Sequence, residues 1–224
     1  FRGEGGLWTK YGEPSMNEYQ RLVNDPKTWW EERVSGTNNR MPGMRESLGE
    51  AKPNPGHEAL AELERLGVLK YVVTQNVDNL HRAAGQVNVA EIHGNWTLMR
   101  CIQCHRRFPR DDVSLESLPP LCPHCQGVVK GDTVMFGEPI PPDVLNICQS
   151  EALKSDCVMI LGTSGVVYPA AALPELARRT NGATLIEINP EETALTETCD
   201  IVVRAPTGEA MPRIVELLRE WAAQ

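Results

Sequence analysis

No stretch of this chain approaches the roughly 18 consecutive apolar residues that a membrane-crossing helix needs, so the sequence predicts no membrane span. The opening residues, FRGEGGLW, have no apolar core of the kind a secretory leader carries. Positive charge is in deficit: 22 Lys and Arg face 30 Asp and Glu, for a net charge of -8 and a pI near 5.2. A broad phosphate-binding surface is therefore not expected, and direct contact with nucleic acid is not the first expectation for a partner. Internal repeats and low-complexity tracts are missing as well. What is there is an ordinary globular composition, 224 residues of which 41% are hydrophobic, enough for one full core with a smaller module inserted into it. These features place the protein in a reducing cytosol and say nothing of its oligomeric state.

Cysteine is plentiful for such a compartment. Of seven residues, four fall as Cys101-x2-Cys104 and Cys122-x2-Cys125, a pattern that points to metal before disulfides. Each CxxC turn places two sulfurs on one side of an ion, and the spacer 105–121 brings the chain back with the other pair. Zinc suits four thiolates in a tetrahedron, and a shell so closed has no position for a reacting water, so the ion is expected to be structural. Two redox-active CxxC turns are the alternative. His105 and His124 adjoin the quartet but are not needed as ligands. Cys148, Cys157 and Cys199 stand singly in apolar surroundings and read as small buried hydrophobes.

Short apolar runs rich in β-branched residues have the length of buried strands: Tyr71 to Thr74, Val158 to Leu161, Leu185 to Ile188 and Ile201 to Val203. Helical patterns lie between them, with Ala59, Leu60, Leu63 and Leu66 on one face and Ile214, Leu217, Leu218 and Trp221 on another. Asn54-Pro55 supplies a cap and first position, so Asn54 to Thr74 reads as helix, tight turn, strand. This alternation predicts an α/β fold, a Rossmann-like doubly wound parallel sheet. Two stretches break it. Asn17 to Lys52 reads as a small helical module plus a mobile loop, and Cys101 to Lys130 has too few aliphatics to form a core without a metal. The expected organisation is 1–16 plus 53–100 plus 131–224 as the Rossmann-like domain, 17–52 as the helical module and 101–130 as the zinc ribbon.

Polar residues gather where strands end, the edge at which open α/β sheets bind ligands. Thr74-Gln75-Asn76-Val77-Asp78-Asn79-Leu80-His81 follows one strand and Glu91-Ile92-His93-Gly94-Asn95-Trp96 comes soon after. Leu161-Gly162-Thr163-Ser164-Gly165 leaves a third strand toward a helix, which suits a phosphate on backbone N–H groups, and Asn189 ends a fourth with a side chain fit for a ribose hydroxyl. Each alone could serve a purely structural purpose, His93 included; the set together does not.

In this order and spacing TQNVDNLH, HGNW, the two CxxC pairs, FGE at Phe136 to Glu138, GTSGVVYPA and IEIN resemble the sirtuins, across nearly the whole chain. FRGEGGLW is similar to the family's cofactor loop after its Asp-Phe-Arg, and PNPGH at Pro53 to His57 fits as well. The family's opening strand and Gly-Ala-Gly loop have no counterpart before Phe1. The resemblance implies an NAD-dependent protein lysine deacylase that binds NAD and zinc. It places Phe1 and Arg2 over the cofactor, Gln75, Asn76 and Asp78 around the nicotinamide and its ribose, Gly162, Thr163 and Ser164 at the phosphates, and Asn189 at the adenine-side ribose. His93, with Asn76 and Asp78, is the implied catalytic set. The substrate's acyl oxygen attacks the anomeric carbon and nicotinamide leaves; His93 then acts as general base on a ribose hydroxyl, near neutrality. The products are free lysine, nicotinamide and acyl-ADP-ribose. An acyl-lysine peptide is expected to add as a strand between Phe136-Gly137-Glu138 and Val166-Val167-Tyr168, with Val134, Phe136 and Val167 walling the lysine tunnel; Val134 reads equally well as an ordinary core residue.

Two departures from the family stand out. Lys130-Gly131-Asp132 occurs where many members have a proline before the aspartate, which implies a looser entry to the peptide groove. Desuccinylase-type members carry Tyr-x-x-Arg in the helical module, whereas this chain has Trp30-Glu31-Glu32-Arg33, so deacetylation is the default. Two other readings stand beside the deacylase. An NAD glycohydrolase or ADP-ribosyltransferase of the same fold would release nicotinamide without an acyl peptide. A non-catalytic zinc-ribbon binding module for nucleic acid has little support, because Asp111, Asp112 and Glu116 lie among the arginines of the spacer.

Overall fold

The computed structural model describes residues 15–37 and 43–222. Phe1 and Arg2, and the part of the expected mobile loop at 38–42, lie outside the described residues. Along the chain the helices are α1 (Glu18–Asn24), α2 (Pro26–Ser35), α3 (Met44–Glu50), α4 (Pro55–Arg65), α5 (Leu80–Ala83), α6 (Pro142–Ala152), α7 (Leu173–Asn181) and α8 (Thr207–Ala222). The strands are β1 (Val72–Thr74), β2 (Val89–Glu91), β3 (Leu98–Cys101), β4 (Arg107–Pro109), β5 (Val129–Gly131), β6 (Cys157–Leu161), β7 (Thr184–Ile188) and β8 (Ile201–Val203). Two compact units divide them. A parallel-sheet unit holds Lys52–Gln75, Asn79–Ile92 and Pro142–Gln224, and a cysteine-bearing unit holds Phe1–Ala51, Asn76–Asp78 and His93–Pro141. No helix among the described residues is long and apolar enough to cross a membrane.

In the parallel-sheet unit every strand pairing is parallel: β1 with β2, and β6, β7 and β8 in that order. With helices between the strands, this is the expected Rossmann-like core. Helix α4 begins as its sequence dictates. The Asn54 side chain accepts from the His57 N–H at 3.1 Å, the His57 ring accepts from the Asn54 N–H at 3.3 Å, and Pro55 takes the first turn, where no donor is needed. Ala59, Leu60 and Leu63 pack with Ile188, Met211 and Val215, so α4 and α8 close over β7. The apolar faces differ from expectation at their margins. Leu66 is the exposed cap residue of α4, and Leu217 and Trp221 face solvent, Trp221 being 74% exposed. The buried ridge of α8 runs instead through Met211, Val215 and their neighbours Ile214 and Leu218. Cys148 is buried as expected, but Cys157 opens β6 at the surface and Cys199 is half-buried.

In the cysteine-bearing unit β3 is the middle strand of an antiparallel ribbon, β4-β3-β5. One face of β3 is apolar: Met99 and Cys101 pack with Leu22, Trp29, Trp30, Cys122 and Val129, so the helices and the ribbon share a core. The Trp30 indole donates to the Val129 carbonyl at 3.0 Å and meets Trp29 edge to face at 5.4 Å.

The other face is ionic and equally buried. Arg100 donates to Asp132 at 2.8 Å and to Glu138 at 2.6 Å, and Lys130 lies 3.0 Å from the second Glu138 oxygen. Lys130 also donates to the Gly131 and Thr133 carbonyls, both at 2.8 Å, and the half-buried Arg107 reaches Asp132 at 3.1 Å. The segment expected to loosen a groove entry is thus pinned from several sides. A cluster of this kind persists only when each charge has partners, because an unpaired buried charge is far costlier than a paired one.

Burial pushes the Lys130 ammonium from 10.5 down to about 8, against the pull of Glu138. Because the folded value lies below the unfolded one, the cost of burying this charge is fully present below pH 8 and is relieved as pH rises toward 10.5; it amounts to about 3 kcal/mol. Lys130→Met removes that dependence and leaves Arg100 and Arg107 balanced against Asp132 and Glu138. Denaturant titrations at about pH 7.5 and about pH 9.5 should therefore show wild type gaining on the variant at the higher pH. A gap that stays constant would mean that the lysine titrates alike in both states.

Candidate active site

Glycine decides the path of the chain after β2. Gly94 has φ +80°, and a Cβ on it would stand 2.2 Å from the Asp132 carbonyl oxygen, so only glycine fits between His93 and Asn95. The neighbouring peptides are held on both sides. The His93 carbonyl accepts from the Val134 N–H at 2.8 Å, and the Asn95 N–H donates to the Asp132 carboxylate at 3.0 Å. Asn95 turns its own side-chain oxygen to the Thr97 N–H and hydroxyl, at 2.9 and 2.8 Å. Trp96 then straps the preceding motif: its N–H donates to the Val77 carbonyl at 2.9 Å and its indole to the Asp78 carbonyl at 3.2 Å. Asn76, Asp78 and His93, the expected catalytic set, therefore belong to one unit. Asn76 is exposed, Asp78 and His93 half-buried, and Val77 between them buried.

The expected cofactor residues of the parallel-sheet unit also meet. The Gln75 amide, just past β1, donates to the Thr163 hydroxyl at 3.1 Å, and the Asn189 amide, just past β7, donates to the Thr163 carbonyl at 3.0 Å. Three strand ends are thereby tied at one threonine. Gly162 and Gly165 take positive φ, 56° and 68°, and a Cβ on Gly165 would lie 2.6 Å from Leu195 Cγ. The Gly162 N–H donates to the Ile188 carbonyl at 3.1 Å, so its amide is not available to a phosphate. Ser164 is exposed.

A support that the sequence did not disclose lies beneath Asn189. Glu187 is fully buried in β7, and burial alone would raise its carboxyl; hydrogen bonds from Thr193, Thr196 and Arg204 outweigh this and hold it below the usual range. Arg204 donates to Glu187 at 2.8 Å and to the Asn189 and Glu191 carbonyls at 3.3 and 3.0 Å, fixing the turn that presents Asn189. A lone glutamate inside the apolar run Leu185 to Ile188 is the signal that marks it.

The expected peptide-binding residues divide between the units. Val134, Phe136, Gly137 and Glu138 fall in the cysteine-bearing unit, where Val134 and Phe136 are half-buried and the Glu138 N–H donates to the Met135 carbonyl at 3.0 Å, closing a turn at Phe136-Gly137. The Glu138 side chain points into the ion cluster, so only its main chain is available to a peptide. Val167 and Tyr168 fall in the parallel-sheet unit, Val167 half-buried and Tyr168 73% exposed. Arg33 stacks on Trp29, 4.5 Å from the ring centre.

The four cysteines form a cluster able to hold a metal ion, with all sulfurs within 4.8 Å of one another. Cys101 and Cys125 are 3.5 Å apart and Cys104 and Cys122 3.7 Å, close to the spacing of about 3.8 Å that a tetrahedron with bonds of about 2.3 Å requires. The Gln103 and Cys104 N–H groups point at Cys101 Sγ, at 3.4 and 3.5 Å. Burial pushes the Cys101 thiol up to about 12. Burial acts the same way on Cys122, but the His124 and Cys125 N–H groups outweigh it and bring that thiol down to about 7. Four thiolates so close ionise together only around a cation. His124 stacks on Phe108 and meets Arg106 instead.

The chain is similar to known proteins along most of its length. Residues 1–169 match the model of the Sir2 family. An NAD-dependent protein deacylase of Pyrococcus abyssi (strain GE5 / Orsay) is 40% identical over 98% of this chain and 86% of its own length. Among solved structures, a mutant Sir2 homologue in complex with ADP-ribose superposes with a TM-score of 0.79 at 38% identity, covering 100% of this chain and 86% of the other. A Sir2 with a p53 peptide and NAD+ gives 0.72 at 30% identity, covering 100% and 87%. With its motifs, its fold and these matches in agreement from end to end, the chain belongs to the Sir2 family, the sirtuins.

Proposed function

We infer that the protein is an NAD-dependent protein lysine deacylase. The observation that carries this reading is the strap from Trp96 to Val77 and Asp78, which gathers Asn76, Asp78 and His93 in one unit, while Gln75, Thr163 and Asn189 are tied together in the other. Bound NAD supplies an electrophilic anomeric carbon and a departing nicotinamide. Gln75, Asn76 and Asp78 hold the nicotinamide end; Thr163 and Ser164, with Gly162 giving the loop its turn, hold the phosphates; and Asn189 holds the far ribose. Phe1 and Arg2 are assigned to the cofactor by family likeness. His93 takes the proton from a ribose hydroxyl, a role an imidazole fills near neutrality without being permanently charged.

The peptide is taken up through the main chains of Phe136 to Glu138 and Val166 to Tyr168, with Val134, Phe136 and Val167 around the lysine stem. Arg33 is engaged with Trp29, which supports an acetyl group over an acidic acyl chain as the substrate. Zinc is the ion proposed for Cys101, Cys104, Cys122 and Cys125; its shell is closed, so it braces the unit and takes no part in the reaction. Reduced thiols at that site fit a cytosolic enzyme.

Mass spectrometry of the products from NAD with acetylated and with succinylated peptide tests the reading. Deacetylated peptide, nicotinamide and acetyl-ADP-ribose are expected in equal amounts, with little turnover of the succinylated peptide. Nicotinamide and ADP-ribose formed with the peptide untouched would identify an NAD glycohydrolase instead.

A further inference from the structure

The buried ion cluster and the His93 turn are in contact, and the geometry of that contact is selective. Residues 132 to 134 hold the chain just after the histidine at three points: Val134 N–H on the His93 carbonyl, the Asp132 carbonyl packed where a Gly94 side chain would be, and the Asp132 carboxylate on the Asn95 N–H. The carboxylate is not free to turn away, because its other oxygen accepts from both Arg100 and Arg107. Arg100 is held at its far end by Glu138, and Glu138 by Lys130 and the Met135 N–H at 2.8 Å. The apolar core on the opposite face of β3 needs none of this: it is filled by Met99, Cys101 and the two tryptophans.

We propose that Asp132 is a positioning residue for the reaction, its carboxylate locked by Arg100 and Arg107 so that the 93–95 backbone, and with it the His93 imidazole, stands at one fixed angle. This rests on the deacylase reading, in which His93 acts only after nicotinamide has left. A displaced imidazole therefore slows transfer of the acyl group while leaving nicotinamide departure and its reversal intact. Misplacing a catalytic group by about 1 Å is enough for a loss of about 100-fold.

The test compares Asp132→Asn and Asp132→Ala with wild type in two assays on the same enzyme: deacetylation, and exchange of labelled nicotinamide into NAD in the presence of acetyl peptide. Deacetylation should fall about 10-fold in Asp132→Asn and about 100-fold in Asp132→Ala, with exchange reduced less than about 3-fold. Amide hydrogen exchange over 93–97 should quicken while that of α4 and α8 stays as in wild type. Arg107→Gln loosens the same carboxylate from a half-buried position, so it keeps the fold if the aspartate variants lose it, and should tilt the same ratio in a smaller measure. Parallel loss of both activities in Arg107→Gln and in the folded aspartate variants, or an unchanged ratio, would overturn the proposal and leave Asp132 a purely structural charge. Wild type that fails to deacetylate while still releasing nicotinamide would overturn the deacylase reading instead.

Discussion

A His93→Ala variant is expected to lose deacylation by about 10²- to 10⁴-fold, the range a positioned general base contributes, while keeping its fold and the metal proposed for its four cysteines. The fold survives because the turn is held through backbone groups: the His93 carbonyl, the Asn95 N–H and the space over Gly94 are unchanged by truncating one side chain. The imidazole is half-buried and contributes to neither hydrophobic core. Steady-state rates with acetyl peptide, beside far-ultraviolet circular dichroism and metal content, check all three points. Nicotinamide exchange should persist, since expulsion of nicotinamide precedes the proton transfer assigned to His93. A variant that deacetylates at the wild-type rate would show that another group takes the proton.

Metal removal is expected to have the larger structural effect. Binding of structural zinc by four thiolates is worth about 10 to 16 kcal/mol in small peptides, comparable with the whole stability of a domain, about 5 to 15 kcal/mol. Here the ligands are not confined to a ribbon at the periphery. Cys101 and Cys122 are fully buried beside Trp29, Trp30, Leu22 and Met99, so freeing the sulfurs opens the core that also seats α1 and α2. A strong chelator under reducing conditions, or Cys122→Ser, should therefore shift tryptophan emission to the red and abolish activity, although a closed four-thiolate shell has no open position for a reacting group. The parallel-sheet unit, whose core is built from α4, α8 and β7, should keep its helical signal. Unchanged tryptophan emission after confirmed loss of metal would mean that the tryptophan core stands without the ion.

What can be read from the sequence follows the range over which its signals act. The strands β6, β7 and β8 are legible because β-branched runs favour extended backbone, although only β7 is largely buried and Ile201 and Val202 of β8, expected inside, are exposed; α4 is legible because its cap, proline and apolar spacing agree. The cysteine quartet is legible from spacing alone. Asn189 and Gln75 stand out because a polar side chain directly after an apolar strand lies at the edge where open α/β sheets bind ligands. The faces of α8 are ambiguous because Ile214, Leu217, Leu218 and Trp221 lie on adjacent ridges, and only the partner helix decides which one is buried. The two charge clusters are hidden for a different reason. A charged residue in a sequence is by default a solvated one, and the partners that reverse this lie far along the chain, Asp132 and Glu138 for Arg100, Arg204 for Glu187.

In the antiparallel ribbon Arg100 and Lys130 stand directly across from one another, two like charges in the pairing that is ordinarily least favourable. They are tolerated because the carboxylates of Asp132 and Glu138 await them on that side alone. Slippage by a single position would turn a guanidinium toward the indoles and the thiols, and a methionine or a cysteine toward the carboxylates. The ribbon thus carries a built-in proofreading of its own alignment, and correct alignment is what delivers the first pair of sulfurs to the second.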